Sequence, residues 1–199
     1  MLDENVLFCG PMYSGKSKKL IDTADKARAE GFQCLIYKPK KDSRDYGILR
    51  SRDYPENPIQ ATPVANAHDI FDHVMNQEFK PDIVIIDEIM LFDSAIFGIV
   101  DALRLEGIAL YAAGLDLDFR GLPFRLGDPD LSLTMEDLKA QFDRVETFVA
   151  YCCVCGKKAS RTQRIIDGKP AKQDDPLILI GSEEYQARCK KHHEVKKLN

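Results

Sequence analysis

The stretch that most constrains this chain is Gly10-Pro-Met-Tyr-Ser-Gly-Lys-Ser17. It fits the pattern G-x-x-x-x-G-K-[ST], in which backbone N–H groups wrap a phosphate and the following helix points its positive end at the same anion. The flanks supply what that geometry needs. Val6, Leu7, Phe8 and Cys9 form an apolar strand before the loop. Residues 17–29 follow it, with Leu20, Ile21, Ala24 and Ala27 on one helical face and Gly31 as a stop. Gly10, Pro11, Met12, Tyr13, Ser14, Gly15, Lys16 and Ser17 are therefore candidates for binding ATP. Lys16 would reach the β- and γ-phosphates, and the Ser17 hydroxyl would ligate Mg²⁺.

The rest of the first 150 residues alternates strand and helix. Strands are expected at residues 34–37, 83–86, 108–113 and 147–150, and helices at 67–79, 94–106 and 131–145. Ile83-Val-Ile-Ile86 is an unbroken β-branched run, typical of a strand buried on both faces of a parallel sheet. Residues 42–66 are polar and carry Pro55, Pro58 and Pro63, so they read as a loop with a short hairpin. Alternation of this kind implies an α/β fold with a parallel sheet flanked by helices.

Asp87 and Glu88 follow the buried run directly. Carboxylates at the carboxyl end of such a strand stand where open α/β sheets bind ligands. Asp87 suits the Mg²⁺ partner of the phosphate loop, and Glu88 suits a general base. The pair alone does not choose between activating water and activating a hydroxyl.

The composition changes near residue 150. Cys152-x-x-Cys155 and Cys189-x-x-His192 are two short ligand pairs across a long spacer, the N and S donor set of a tetrahedral zinc site. Cys153 and His193 are adjacent alternatives. Cys9 and Cys34 fall in expected strands and read as small core residues. His68 and His73 read as surface or boundary positions. The division expected is 1–149 for the ATP-binding domain and 150–199 for the zinc-binding one.

Composition narrows the function classes. The 199 residues carry 28 basic and 32 acidic side chains, a net charge of −4, which argues against nonspecific nucleic-acid binding. No apolar run approaches a membrane span, and the first residues do not resemble a secretory signal, so a cytoplasmic location is expected.

Taken together, the pieces resemble the thymidine kinase family of the bacterial and mammalian cytosolic type. The matching residues are the phosphate loop, Lys38-Pro-Lys-Lys-Asp42-Ser-Arg44, Asp87-Glu88 and Gly114-Leu-Asp-Leu-Asp-Phe119 continuing to Pro123-Phe124. Then come Cys152 to Cys155, Ala159-Ser-Arg-Thr162-Gln-Arg164, Ile180-Gly181, Tyr185 and Cys189-Lys-Lys-His192.

The resemblance implies a RecA-like phosphate-loop domain and a small zinc-ribbon domain bearing a lasso loop. It implies transfer of a phosphoryl group from ATP to the 5′-hydroxyl of thymidine or deoxyuridine, with Glu88 as base and Asp42 and Arg44 near the phosphates. Met12, Phe119, Phe124, Thr162 and Tyr185 would line the nucleoside pocket. Leu177, Ile178, Leu179, Ile180 and Gly181 would hold the base through their backbone. Zn²⁺ on Cys152, Cys155, Cys189 and His192, a homotetramer or dimer, and inhibition by dTTP are implied in the same way. The chain departs from the family at Met90 and Leu91, where a glutamine and an aromatic residue are usual. Two other readings compete: an ATPase or kinase of another small alcohol, and a zinc-ribbon binding module with a degenerate nucleotide site.

Overall fold

A computed structural model describes residues 4–43, 45–52, 54–127, 131–179 and 184–197. The larger lobe runs β1 (Val6–Cys9), α1 (Lys16–Ala29), β2 (Cys34–Pro39), β3 (Ile48–Ser51), β4 (Tyr54–Gln60), β5 (Thr62–Val64) and α2 (His68–Met75). It continues with β6 (Ile83–Ile86), α3 (Ile96–Leu105), β7 (Ala109–Gly114), α4 (Met135–Lys139) and β8 (Arg144–Thr147). Six of these strands form one sheet in the order β5-β2-β6-β7-β1-β8, every pair parallel.

Strand alternation explains the layering. Val6 and Phe8, with Ile83 and Ile85, join the core under α1, whereas Leu7, Cys9, Val84 and Ile86 join the core under α2 and α3. Both faces are covered, which is why these strands read as continuous apolar runs. The turns that leave the carboxyl ends of β1, β2, β6 and β7 therefore gather at one edge, where a doubly covered parallel sheet presents its ligand site.

The hairpin expected within residues 42–66 is β3–β4, antiparallel. The structure corrects several boundaries. Thr62–Val64, read as loop, is a sheet strand beside β2, too short to show a period. The helix of 67–79 ends at Met75, leaving Phe79 exposed. The helix of 131–145 is only Met135–Lys139, opened by a capping box of Thr134 and Asp137. The last strand lies at Arg144–Thr147 rather than at 147–150. There the Asn5 carbonyl accepts from the N–H groups of Asp143 (3.0 Å) and Arg144 (3.2 Å). The Asp143 carboxylate in turn accepts from the Asn5 N–H at 2.7 Å. Those bonds dock the segment on β1 as a charged edge strand, and tertiary pairing overrides the helical spacing.

The smaller lobe follows: β9 (Ala150–Tyr151) pairs with β10 (Lys158–Ala159), and β12 (Lys169–Pro170), β11 (Arg161–Ile166) and β13 (Glu184–Arg188) form an antiparallel sheet with β11 central. Its own buried core among the described residues is Ala150, Cys152, Ala159 and Ala187. No helix among the described residues is long and apolar enough to cross a membrane.

Candidate active site

The phosphate loop leaves β1 through a turn that only glycine fits. Gly10 has φ +142°, and a Cβ there would stand 2.4 Å from the Phe148 carbonyl oxygen. Tyr13 (φ 64°) and Gly15 (φ 87°) take left-handed conformations that curl the loop into α1. Lys16 is buried, and its Nζ donates to the Pro11 carbonyl at 2.7 Å and to Ser14 Oγ at 3.4 Å, strapping the loop across its own mouth. Burial lowers the Lys16 pKa, and Glu88, Asp87 and Asp116 oppose that shift.

β6 delivers Asp87 and Glu88 to the same edge. Asp87 is buried, and its carboxyl is pushed up to about 7, first by burial and then by the neighbouring Glu88 charge, with Lys38 opposing. Glu88 has φ 49° and ψ 44°, a left-handed backbone that turns the chain from β6 into the buried one-turn helix Ile89–Leu91. Such a conformation is uncommon for glutamate and is held by the apolar turn beneath it.

Together these groups line a polar cavity. Met12, Tyr13, Ser14, Gly15, Lys16 and Ser17 form one wall, and Asp87 and Glu88 another. Gly10 and Pro11 lie behind, one making the turn and the other accepting from Lys16. Asp42 lines the cavity in a buried ion pair with Lys38 at 3.2 Å. Lys38 also donates to the carbonyls of Asp45 (2.9 Å) and Ile48 (3.2 Å), pinning the 42–48 loop to β2. Arg44 lies outside the described residues.

The cavity also takes in Lys38, Asp45, Arg50, Ser51, Arg52 and Leu115, none of them a candidate from sequence. The Arg52 guanidinium sits 4.7 Å from the Tyr13 ring centre. Two arginines two positions apart on an expected hairpin were the available signal.

A second, mostly apolar cavity adjoins the first. Met12, Glu88 and Leu115 line both, so Glu88 stands at their junction. The sequence candidates Phe119, Phe124, Thr162, Leu177, Ile178, Leu179 and Tyr185 come together on the second. Ile180 and Gly181 lie outside the described residues. Met90, Leu91 and Arg164 complete its walls. The Met90 thioether accepts the Leu115 N–H at 3.4 Å, so this departure from the family serves as backbone support. Two bonds tie the smaller lobe to the phosphate loop. The Met12 N–H donates to Thr162 Oγ1 at 3.0 Å, and the Tyr13 hydroxyl donates to the Tyr185 carbonyl at 2.7 Å.

Cys152, Cys155, Cys189 and His192 converge, with all donor atoms within 4.8 Å of one another. His192 Nδ1 lies 3.4 Å from Cys189 Sγ and 3.7 Å from Cys152 Sγ, and the Cys155 and Cys189 sulfurs are 3.8 Å apart. Burial opposes ionisation of Cys152. The backbone N–H groups of Cys189, Val154 and Cys155 and the His192 ring outweigh it, bringing this thiol to about 5. Three sulfurs and one imidazole at this separation fit Zn²⁺ in donor type and number.

The adjacent alternatives are turned elsewhere. Cys153 is exposed, with its sulfur 3.3 Å from Gln186 Oε1. His193 Nε2 meets the Phe119 carbonyl at 2.8 Å, linking the cluster to the wall of the apolar cavity. Cys9 is buried, and burial pushes its thiol up to about 12; Cys34 is only half-buried, less enclosed than expected. His68 is exposed, and His73 Nδ1 meets the Tyr37 hydroxyl at 2.9 Å.

A family model described as thymidine kinase matches residues 5–193.

Proposed function

The chain belongs to the thymidine kinase family, and from that premise we propose how its two adjoining cavities divide the reaction. The protein is a phosphotransferase that converts thymidine to dTMP. The polar cavity takes ATP: the N–H groups of the Gly10–Ser17 loop, the start of α1 and Lys16 neutralise the phosphates. Ser17 and Asp87 are the residues that would hold Mg²⁺, which when bound offsets charge on the β- and γ-phosphates. Asp42 stands on the same side, and the family resemblance assigns Arg44 to the phosphates as well.

The apolar cavity takes thymidine or deoxyuridine. Phe119, Phe124 and Tyr185 offer flat apolar walls, and Leu177, Ile178, Leu179, Ile180 and Gly181 offer backbone groups to the polar edge of the base. Glu88 receives the proton of the 5′-hydroxyl as that oxygen attacks the γ-phosphorus. Met12 closes the contact between the two substrates.

Zn²⁺ on Cys152, Cys155, Cys189 and His192 would brace residues 150–199 as a separate binding unit beside residues 1–149. The family resemblance extends the reading to a cytoplasmic homotetramer or dimer inhibited by dTTP.

The observation that carries this reading is the position of Glu88, on the wall of both cavities at once. Its test is ADP release from ATP and Mg²⁺, with and without thymidine, in the wild type and in Glu88→Gln. Thymidine should stimulate release strongly and yield dTMP. The variant should lose about 10²-fold or more in turnover while still binding both substrates. Equal ADP release without a nucleoside would favour the ATPase reading, and full activity in the variant would remove Glu88 from its role.

A further inference from the structure

Arg164 is almost fully enclosed, at 2% exposure, although it carries a permanent charge. On β11 it alternates with Thr162, and both line the apolar cavity. Gln163, between them, points away and exchanges two bonds with the Glu194 backbone, each of 2.8 Å. The strand is thus gripped from behind while Arg164 faces the cavity.

Its guanidinium donates in three directions. Nη1 reaches the Pro176 carbonyl at 2.5 Å, Nη2 the Leu177 carbonyl at 2.7 Å, and Nε the Tyr185 hydroxyl at 3.1 Å. That hydroxyl in turn donates to the Leu179 carbonyl at 2.8 Å. The plane also lies against aromatic faces, 4.0 Å from the centre of Phe119 and 5.5 Å from that of Tyr185. One side chain therefore touches three separate stretches of chain: the 115–127 loop, the 176–179 segment and β13.

We propose that Arg164 is a positioning residue for the nucleoside, a buried fork that sets the distance between the 176–179 segment and the Phe119 wall. The physical case rests on what each stretch lacks. Residues 176–179 belong to no helix or strand, so their carbonyls have no ladder to hold them at one height. The planar fork supplies that height with two bonds in fixed geometry. A guanidinium does this where an ammonium cannot, because its donors diverge in one plane while its faces stack on rings. Phe119 is held from behind through its carbonyl by His193 and from the front by Arg164. Moving the fork would alter the width of the slot between them, and with it nucleoside affinity, while the Lys16 strap and Asp87 stay in place.

The inference rests on the reading of the apolar cavity as the nucleoside site, and the test separates the two. KM for thymidine and for ATP, kcat and zinc content are measured for the wild type, Arg164→Lys and Arg164→Met. Thymidine-dependent turnover in the wild type checks the reading itself; without it, the reading fails before Arg164 is judged.

With it, Arg164→Lys should raise the thymidine KM about tenfold, since charge remains but the fork is lost. Arg164→Met should raise it further. The ATP KM and the zinc content should stay within twofold of wild type in Arg164→Lys. An unchanged thymidine KM in Arg164→Lys overturns the proposal. So does a parallel rise in both KM values, which would make Arg164 a general stabiliser. Should Arg164→Met fail to fold, Arg164→Lys alone decides on the same criteria.

Discussion

The polar cavity is walled by the loop from β1 into α1 and by Asp87 and Glu88 just beyond β6, all set on the edge of a sheet buried on both faces. At the apolar cavity, the walls come from stretches far apart in the chain: Met12, the turn from Glu88 to Leu91, the loop from Leu115 to Phe124, β11, residues 177–179, and Tyr185 on β13. The first is rigid because the fold beneath it is rigid. The second is held by a handful of tethers, namely Thr162 to Met12, Tyr13 to Tyr185, His193 to Phe119 and the Arg164 fork. Its lobe buries Ala150, Cys152, Ala159 and Ala187, small side chains that withdraw little apolar area from water. A core of that size does not support a fold without a staple. The contrast is between a site inherited from a sheet and one assembled around a cluster of ligands.

Stripping metal from the Cys152, Cys155, Cys189 and His192 cluster should produce the largest difference between the two. Structural zinc sites supply on the order of 10 kcal/mol of folding free energy, well beyond what four small buried residues contribute. As chelator is added, the rise in melting temperature caused by thymidine should vanish while that caused by ATP persists. Loss of both at the same chelator concentration would break the comparison and make the metal a support of the whole chain.

The polar cavity carries a different liability, stored charge. The Asp87 carboxyl is raised from 3.8 to about 7 by burial and by Glu88. A raised acid favours the folded state while protonated, so its contribution is intact below about pH 4 and is lost as pH rises to about 7. A shift of that size corresponds to roughly 4 kcal/mol if no relaxation occurs, and to less once the cavity admits water. Asp87→Asn removes the titration. The ligand-free variant should be more stable than wild type at pH 8 by about 1–3 kcal/mol in urea unfolding, with the gap closing toward pH 4. A gap independent of pH would show that Asp87 pays no such penalty.

The two halves also differ in how far they were legible. The phosphate loop is contiguous, and its backbone demands are written into Gly10, Gly15, Lys16 and Ser17, so residue order alone specified the geometry. The buried run before Asp87 did the same for β6. The apolar cavity joins residues from Met12 to Tyr185, and Phe119, Thr162 and Tyr185 entered only through a family resemblance. Arg164 and Lys38 lie within stretches that match the family, yet no local pattern separates a buried arginine or lysine from a surface one. Their partners are mostly backbone carbonyls, whose positions depend on tertiary structure. The edge strand Arg144–Thr147 escaped for a related reason: its charged residues match a helix face equally well, and only pairing with β1 decides.

The smallest effect tests the finest distinction, the register of the ligand pairs. Cys152 and Cys153 are neighbours, and sequence spacing alone leaves both open. In the structure Cys152 is buried and faces His192, whereas Cys153 is exposed and points at Gln186. Cys152 follows β9 directly and Cys153 opens the turn closed by the Gly156 N–H on the Cys152 carbonyl, so one thiol joins the cluster and the other is turned from it. Cys153→Ser should therefore leave zinc content unchanged, alter stability by no more than about 0.5 kcal/mol as for an ordinary surface substitution, and leave both KM values at wild type. Cys152→Ser should lose the metal and, with it, thymidine binding ahead of ATP binding. A zinc-depleted Cys153→Ser protein would reverse the register. The lobe would then be built around a different cluster, and the link from His192 through His193 to the Phe119 wall would have to be redrawn.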